Sequence, residues 1–160
     1  MDKKSLRQIY FGLVHQKLQY CVSCWGGCFK SEIGKLEVLQ RKAIRNIEQA
    51  DYRSPTSSFF QKHKILKVRD IYFFQISKIM FKIYNNSWLG NFKFCLINQI
   101  HSYETRSSLN LNFYIQNKKI SNSSIMKIGP KIWNSLPKCT KLLNFNLFKR
   151  TIKNQKLAAY

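Results

Sequence analysis

Apolar residues recur at helical spacing along much of the chain, and this periodicity limits the possible folds more than any other feature. Residues three, four and seven positions apart share one face of an α-helix, so a stripe of this kind has to be buried against another element. The longest example predicts a helix from about residue 65 to residue 84. Its predicted inner stripe consists of Val68, Ile71, Tyr72, Ile76, Ile79, Met80 and Ile83.

The same periodicity predicts four further helices, over about residues 5–24, 31–49, 55–62 and 146–157. We expect Gly26 and Gly27 to end the first of these, and Ser31 to be the N-cap of the second. A fifth, short helix should begin at Gly129-Pro130 and stop before Pro137, because proline cannot continue a helix. The predicted inward residues include Ile9, Leu13, Cys21, Cys24, Leu39, Leu147, Phe148 and Ile152.

Residues 91–124 are less regular and rich in asparagine and serine. Short alternating runs such as LNLNFYI (109–115) favour a loop with one or two short strands. The predicted fold is therefore mainly α, with a helical bundle followed by a smaller C-terminal helical region that carries those strands.

The charge balance favours a polyanionic partner. The chain has 28 lysines and arginines against 7 acidic residues, a net charge of +21, and a field of that sign attracts nucleic acid. AT-rich coding could raise the lysine content, but it explains the scarcity of acids poorly. On the predicted helix 31–49, Arg41 and Arg45 lie four residues apart and Lys35 and Lys42 seven apart. These cations could follow a phosphate backbone, although an ordinary solvated helix face fits the pattern equally well.

Three cysteines, Cys21, Cys24 and Cys28, raise the question of a metal site. Structural zinc needs four ligands, and no second C-x-x-C or H-x3-H follows to complete the set. Because Cys21 and Cys24 continue the apolar stripe of the first helix, we interpret them as small hydrophobic residues. The sequence therefore predicts no metal and no cofactor, with a zinc-binding interaction module as the less favoured alternative.

Nothing in the sequence predicts a catalytic residue. The acids are scattered, with no D-D or D-x-D pair that could hold Mg²⁺ for phosphoryl transfer. No phosphate-binding G-x4-G-K-[ST] loop occurs, and no histidine is marked as a base beside a nucleophile. No apolar run of membrane-spanning length or secretory leader is evident, so we expect an intracellular protein, nuclear or cytoplasmic, that contacts neither a membrane nor a small molecule.

Six stretches of the chain, in order, share patterns with one protein family. They are the segment from Ile9 to Gly26, LEVLQRKAIRNI (36–47), ILKVRDIYFFQISKIMFKIYNN (65–86), HSYETRSS (101–108), IGPKIWNSLP (128–137) and FKRTIKNQKLAAY (148–160). Together they resemble the reverse transcriptases of jockey- and RTE-like non-LTR retrotransposons. The residues that carry the family motifs are Trp25, Gly26, Thr105, Arg106, Trp133 and Asn134.

The resemblance implies that the chain corresponds to the part of an RNA-directed DNA polymerase that follows the catalytic palm. Residues 1–86 would be a thumb-like helical region, and residues 87–160 a C-terminal region with the TRSS and WNSLP motifs. The palm, with its aspartates and Mg²⁺, would be a missing partner, so the chain alone is expected to be a truncated, non-enzymatic fragment. Arg106 could be a buried structural arginine, and Trp133 is expected to be a core residue rather than a stacking platform.

The function expected of such a fragment is binding of a template–primer duplex or RNA through a basic helical surface. The predicted backbone contacts are Lys35, Arg41, Lys42 and Arg45. A domesticated basic nucleic-acid-binding protein with its own cellular role remains an alternative.

Overall fold

The chain is mainly helical, which confirms the predicted fold class. The computed structural model describes residues 2–85, 87, 94–100, 110–112 and 125–160. Within these ranges the α-helices are α1 (Lys3–Ile9), α2 (Gln16–Gln19), α3 (Val22–Trp25), α4 (Lys30–Glu48), α5 (Ser57–His63), α6 (Val68–Tyr84), α7 (Ile125–Ser135), α8 (Lys138–Lys141) and α9 (Phe145–Ala158). A π-helical segment, Tyr10–His15, joins α1 to α2, and a 3₁₀ turn covers Ile97–Gln99.

The chain divides into two compact units. The first comprises Met1–Phe74 with Arg150–Tyr160, and the second comprises Gln75–Lys149. The predicted division into residues 1–86 and 87–160 refers to regions of the family that the chain resembles, and it stays a prediction.

Two groups of buried side chains form the core of the first unit. One contains Tyr10, Ile44, Ile47, Phe60 and Ile65, with the ring of Tyr160 packed against it. The other is built on Val22, Leu66 and Ile71. Burial of these apolar side chains, at about 1.5–3 kcal/mol each, is the main force that holds α4, α5 and the start of α6 together.

An aromatic cluster forms the core of the second unit. Trp133 on α7 is 2% exposed and lies edge-on to Phe81, with ring centroids 6.2 Å apart. The centroids of Phe81 and Phe148 are 4.6 Å apart. Gly129 lets α7 approach Met80 closely, because a Cβ atom at this position would lie 2.5 Å from the Met80 sulfur and overlap it.

The inner stripe predicted for α6 is confirmed. Val68, Ile71, Ile76, Met80 and Ile83 are buried, and Tyr72 and Ile79 are half-buried.

The first predicted helix is not continuous. Tyr20 is extended and Cys21 has a φ of 45°, in the left-handed region, so the helix ends at Gln19 and a new turn, α3, begins at Val22. The π-helical segment has already shifted the register, because an i→i+5 turn takes up an extra residue. Ile9 and Leu13, predicted to face inward, are 42% and 62% exposed. Tyr10, which belongs to the same predicted stripe, is buried as expected, and Val22 is buried although it was not predicted to be.

The inner face of α4 also differs from the prediction at one position. Leu39 is 59% exposed, and the neighbouring Gln40 is 2% exposed. The Gln40 amide nitrogen donates to the Tyr10 hydroxyl and the Leu66 carbonyl, both at 2.9 Å. Its amide oxygen accepts from the Val68 N–H at 3.1 Å. A polar side chain is buried here because it bonds three groups that would otherwise lack partners.

Several predicted boundaries were wrong. Helix α4 begins at Lys30 with Phe29, not Ser31, at the N-cap, and α7 begins at Ile125, so that Pro130 lies inside it. Leu147, predicted to face inward on α9, is 47% exposed, whereas Phe148 and Ile152 are buried as predicted.

Little of the region predicted to hold short strands falls within the described residues. The described part contains an isolated antiparallel bridge between Leu96 and Leu111. Most of residues 91–124, including most of the run 109–115, lies outside the described residues. None of the helices described is long and apolar enough to cross a membrane.

Candidate nucleic-acid interface

The four predicted contact residues lie together on one side of α4. Successive residues of an α-helix are rotated by about 100°, so Lys35, Arg41, Lys42 and Arg45 fall within an arc of about 120°. The buried residues of α4 point the other way; they are Ile33, Gln40, Ile44 and Ile47. We call the side of α4 formed by Lys35, Arg41, Lys42 and Arg45 the α4 basic face.

Three members of the α4 basic face are exposed. Lys35 pairs with Glu32 at 3.0 Å, and both side chains are more than half exposed, so this pair contributes at most about 1 kcal/mol and can open. The Arg41 Nε donates to the Glu37 carbonyl at 3.3 Å. Lys42 is exposed, and it has no hydrogen bond or ion pair within the described part of the chain.

Arg45 differs from the other three because it also supports the fold. Its side chain is half-buried, and its Nε donates to the Ser54 carbonyl at 3.0 Å. Its guanidinium lies over the Tyr52 ring, 5.6 Å from the centroid. Replacement of Arg45 would therefore change the turn at residues 51–54 as well as the charge of the α4 basic face.

Most of the described carboxylates are already paired with cations. Glu37 accepts from the Arg69 Nε at 2.7 Å. Asp70 accepts from the Tyr160 hydroxyl at 2.7 Å and pairs with Lys156 at 3.4 Å. Seven acids can offset only a small part of 28 cations, so the positive charge dominates the field around the molecule.

Glu48 is the most heavily paired of these carboxylates, a feature that the sequence did not predict. It is 10% exposed, and it contacts Lys3 at 3.2 Å, the His63 Nε2 at 2.9 Å, and Lys62. The hydrogen bond from Lys62, followed by those from His63 and Lys3, lowers the pKa of Glu48 to about 2, although burial acts in the opposite direction.

The first unit should lose stability in acid through Glu48. Because the folded-state pKa of about 2 lies below the ordinary value of 4.5, the contribution is complete above about pH 4.5 and disappears as the pH falls toward 2. Urea unfolding across this pH range should show a smaller acid dependence for Glu48→Gln than for the wild type. Glu32→Gln, which alters an exposed ion pair, serves as the control and should follow the wild type. Parallel profiles for Glu48→Gln and wild type would contradict this assignment.

Trp25 and Gly26, two of the family-motif residues, end the first helical region of the first unit. The Trp25 indole N–H donates to the Tyr20 carbonyl at 2.8 Å, which closes the turn at Cys21. The ring packs against the cluster of Val22, Leu66 and Ile71. A Cβ atom on Gly26 would overlap the Tyr72 ring, so this position requires glycine for close packing.

Trp133 and Asn134, the corresponding pair in the second unit, have separate roles. Trp133 is buried in the aromatic cluster, whereas the Asn134 side chain forms two hydrogen bonds with the backbone of Leu111. Leu111 N–H donates to the amide oxygen at 3.0 Å, and the amide nitrogen donates to the Leu111 carbonyl at 2.9 Å. Thr105 and Arg106 lie outside the described residues.

The interpretation of Cys21 and Cys24 as buried hydrophobic residues is wrong. Both are exposed, as is Cys28. The left-handed conformation of Cys21 breaks the helix, so Val22 takes the inward position that the stripe had assigned to Cys21. Within the described ranges, no three His, Cys, Asp or Glu side chains come together to form a metal site.

Comparisons with known proteins add no family assignment. Searches against protein-family models, curated proteins and solved structures found no match to this chain.

Proposed function

We propose that this chain is a non-catalytic nucleic-acid-binding module, derived from the thumb and C-terminal region of a retrotransposon reverse transcriptase. Its ligand in this proposal is RNA or a template–primer duplex, and its location is inside the cell, in the nucleus or cytoplasm. The observation that carries the proposal is the α4 basic face, whose four cations lie opposite the buried side of a 19-residue helix.

The spacing of the α4 basic face suits a phosphate backbone. A rise of about 1.5 Å per residue separates Lys35 from Arg45 by about 15 Å along the helix axis, a length over which a nucleic-acid strand presents several phosphates. Lysine and arginine contacts of this kind fix position and contribute affinity without selecting a base. The proposed binding is therefore tight at low salt and largely independent of sequence.

Replacement of the three exposed members of the α4 basic face should weaken binding to an RNA/DNA duplex. For the variant Lys35→Gln, Arg41→Gln, Lys42→Gln we expect the slope of log affinity against log salt to fall by about 3, one unit for each lost phosphate contact. Affinity at low salt should fall by about tenfold or more. Arg45 is left intact because it also supports the turn at residues 51–54. Fluorescence anisotropy over a range of salt concentrations measures both quantities.

A matched control separates this surface from the overall charge. The variant Lys4→Gln, Lys138→Gln, Arg150→Gln removes the same number of charges from exposed positions outside α4. It should retain most of the salt slope, because it changes the long-range field and leaves the contacts in place. Equal losses in the two variants would mean that the α4 basic face is not the binding surface.

A domesticated binding protein would use the same contacts, so duplex binding does not distinguish it from an element fragment. A reverse transcriptase palm encoded directly upstream in the genome would favour the fragment, whereas a single intact locus without a palm would favour domestication. Stoichiometric zinc in the purified protein, lost on substitution of Cys21 and Cys24, would instead support the zinc-binding interaction module.

A further inference from the structure

A cavity of about 200 Å³ lies in the first unit, between the π-helical segment, the turn at Lys64 and α9. Its lining residues are Phe11, His15, Gln19, Lys64, Leu66, Ile71, Phe74 and Lys153. We call this the Lys153 cavity. The residues come from four separate parts of the chain, so the site exists only in the folded unit.

Several cations converge on the Lys153 cavity. Lys64 and Lys153 line it, and burial, followed by the nearby Arg7 and Lys64, lowers the pKa of Lys153. Arg7 is held in place, because its Nε donates to the His63 carbonyl at 3.1 Å and its guanidinium lies 4.8 Å from the centroid of the Phe11 ring. Cations held this close repel one another unless an opposite charge lies between them.

No carboxylate offsets these cations inside the cavity. Among the described residues that line it, none is acidic. Asp70, the carboxylate closest in sequence to the cavity-lining Lys64, is bonded to Tyr160 and Lys156. Glu48 is likewise bonded to Lys3, Lys62 and His63. The charge in the Lys153 cavity is therefore uncompensated by the cavity's own side chains.

The His15 side chain gives a second, independent indication that the cavity binds a ligand. Its Nδ1 is buried and has no hydrogen-bond partner within the described part of the chain. Burial, followed by the charge of Lys153, lowers the pKa of this imidazole. A buried polar atom without a partner costs about 1–3 kcal/mol, which a bound acceptor or donor would recover. His15 also lies in the π-helical segment, a type of distortion that occurs often at binding sites.

Apart from Gln19, the remaining lining residues are apolar, and the cavity is small. The apolar part of the lining consists of Phe11, Leu66, Ile71 and Phe74. Ordinary small-molecule pockets begin at about 300 Å³, and a water molecule takes about 30 Å³. The Lys153 cavity therefore has room for one tetrahedral anion with a few attached atoms, and the rest of a larger ligand would lie outside it.

We propose that the Lys153 cavity binds a phosphate monoester group, with Lys64 and Lys153 as its charge-assisted donors, His15 as a further hydrogen-bonding partner, and the apolar wall against the esterified carbon. A phosphate monoester dianion fits better than a phosphodiester, because its two negative charges offset more of the positive charge in the cavity. Charge-assisted hydrogen bonds to phosphate are about twice as strong as neutral ones. This site does not depend on the α4 basic face or on the nucleic-acid proposal.

The test compares adenosine 5′-monophosphate with adenosine, so that only the phosphate differs, by calorimetric titration of the full chain. We expect binding of the monophosphate alone, with its Kd at least tenfold higher for Lys153→Gln. Arg150→Gln, an equal loss of charge one turn earlier on α9 and outside the cavity, should leave the Kd unchanged. Equal binding of adenosine, or equal effects of the two variants, would overturn the proposal.

A melting experiment shows whether the Lys153→Gln variant is still folded. In phosphate-free buffer Lys153→Gln should melt at the same temperature as the wild type or higher, because it relieves repulsion with Arg7 and Lys64. Addition of inorganic phosphate should raise the melting temperature of the wild type and of Arg150→Gln by more than that of Lys153→Gln. Equal rises in all three proteins would indicate general salt stabilisation and would also overturn the proposal.

A third binding experiment distinguishes the possible biological sources of the monoester. Oligonucleotides with a 5′-phosphate and with a 5′-hydroxyl are compared in the Lys35→Gln, Arg41→Gln, Lys42→Gln background, which suppresses backbone binding. A preference for the phosphorylated end that Lys153→Gln abolishes identifies a nucleic-acid terminus as the ligand. Binding of adenosine 5′-monophosphate without that preference identifies a free phosphate monoester.

Discussion

Trp133→Ala is expected to lower the free energy of unfolding of the second unit by about 3–5 kcal/mol. The indole is 2% exposed and lies among Phe81, Tyr84 and Phe148, with ring centroids 5.0–6.2 Å away. Truncation removes its burial and leaves a cavity that rigid aromatic neighbours cannot fill. Urea unfolding followed by circular dichroism, with hydrogen exchange of α7 and α9 to localise the change, measures the loss.

Two further variants make this prediction specific. Trp133→Phe keeps one ring and should cost less than the alanine variant, and Leu142→Ala, at an 86% exposed position of the same unit, should change stability by about 0.5 kcal/mol or less. If Trp133 were instead a platform for stacking a base, its truncation would weaken RNA binding and leave the unfolding curve in place.

Gln40→Leu should destabilise the first unit by about 3–5 kcal/mol, since about 1–3 kcal/mol is lost for each buried group left without a partner. Leucine fills a similar volume, but it leaves the Tyr10 hydroxyl, the Leu66 carbonyl and the Val68 N–H without the hydrogen bonds that Gln40 provides. Urea unfolding with hydrogen exchange of α4 and the start of α6 reports the loss.

Tyr10→Phe is the matched comparison, because it removes only one of the three hydrogen bonds of Gln40. We expect it to cost about 1 kcal/mol. If Gln40→Leu were as stable as Tyr10→Phe, the hydrogen bonds from Gln40 to the Leu66 carbonyl and the Val68 N–H would contribute nothing to stability, and the prediction would be wrong.

Helix α6 illustrates how much of this fold the sequence could predict. The helix runs for 17 residues without a break, and an uninterrupted apolar period along it is enough to predict both the helix and its inner stripe. Phe148 and Ile152 on α9 were predicted for the same reason. Periodicity is a local property, so it succeeds wherever the backbone stays regular.

Where the backbone departs from regularity, the periodicity misleads. A positive φ at Cys21 is unfavourable for a non-glycine residue and has no pattern that announces it. Leu39 was predicted to face inward, but Gln40 is the buried residue, because the polar groups that Gln40 bonds come from residues 10, 66 and 68. The Lys153 cavity was missed for the same reason, as its cations are distant in sequence and meet only after folding.

The α4 basic face lies between these two cases. Helical spacing was sufficient to place Lys35, Arg41, Lys42 and Arg45 on one side of α4 and away from its buried residues. It could not show that Arg45 also holds the turn at residues 51–54, because that contact joins α4 to the loop that follows it.

The paired hydrogen bonds between Asn134 and the backbone of Leu111 have an evolutionary consequence. The amide contacts only main-chain atoms, which every residue except proline provides in full. Substitutions around residue 111 can therefore accumulate without a compensating change at position 134, provided that an apolar side chain fills the buried site. In related sequences we expect Asn134 to persist while the segment it holds diverges, so the two should show little covariation.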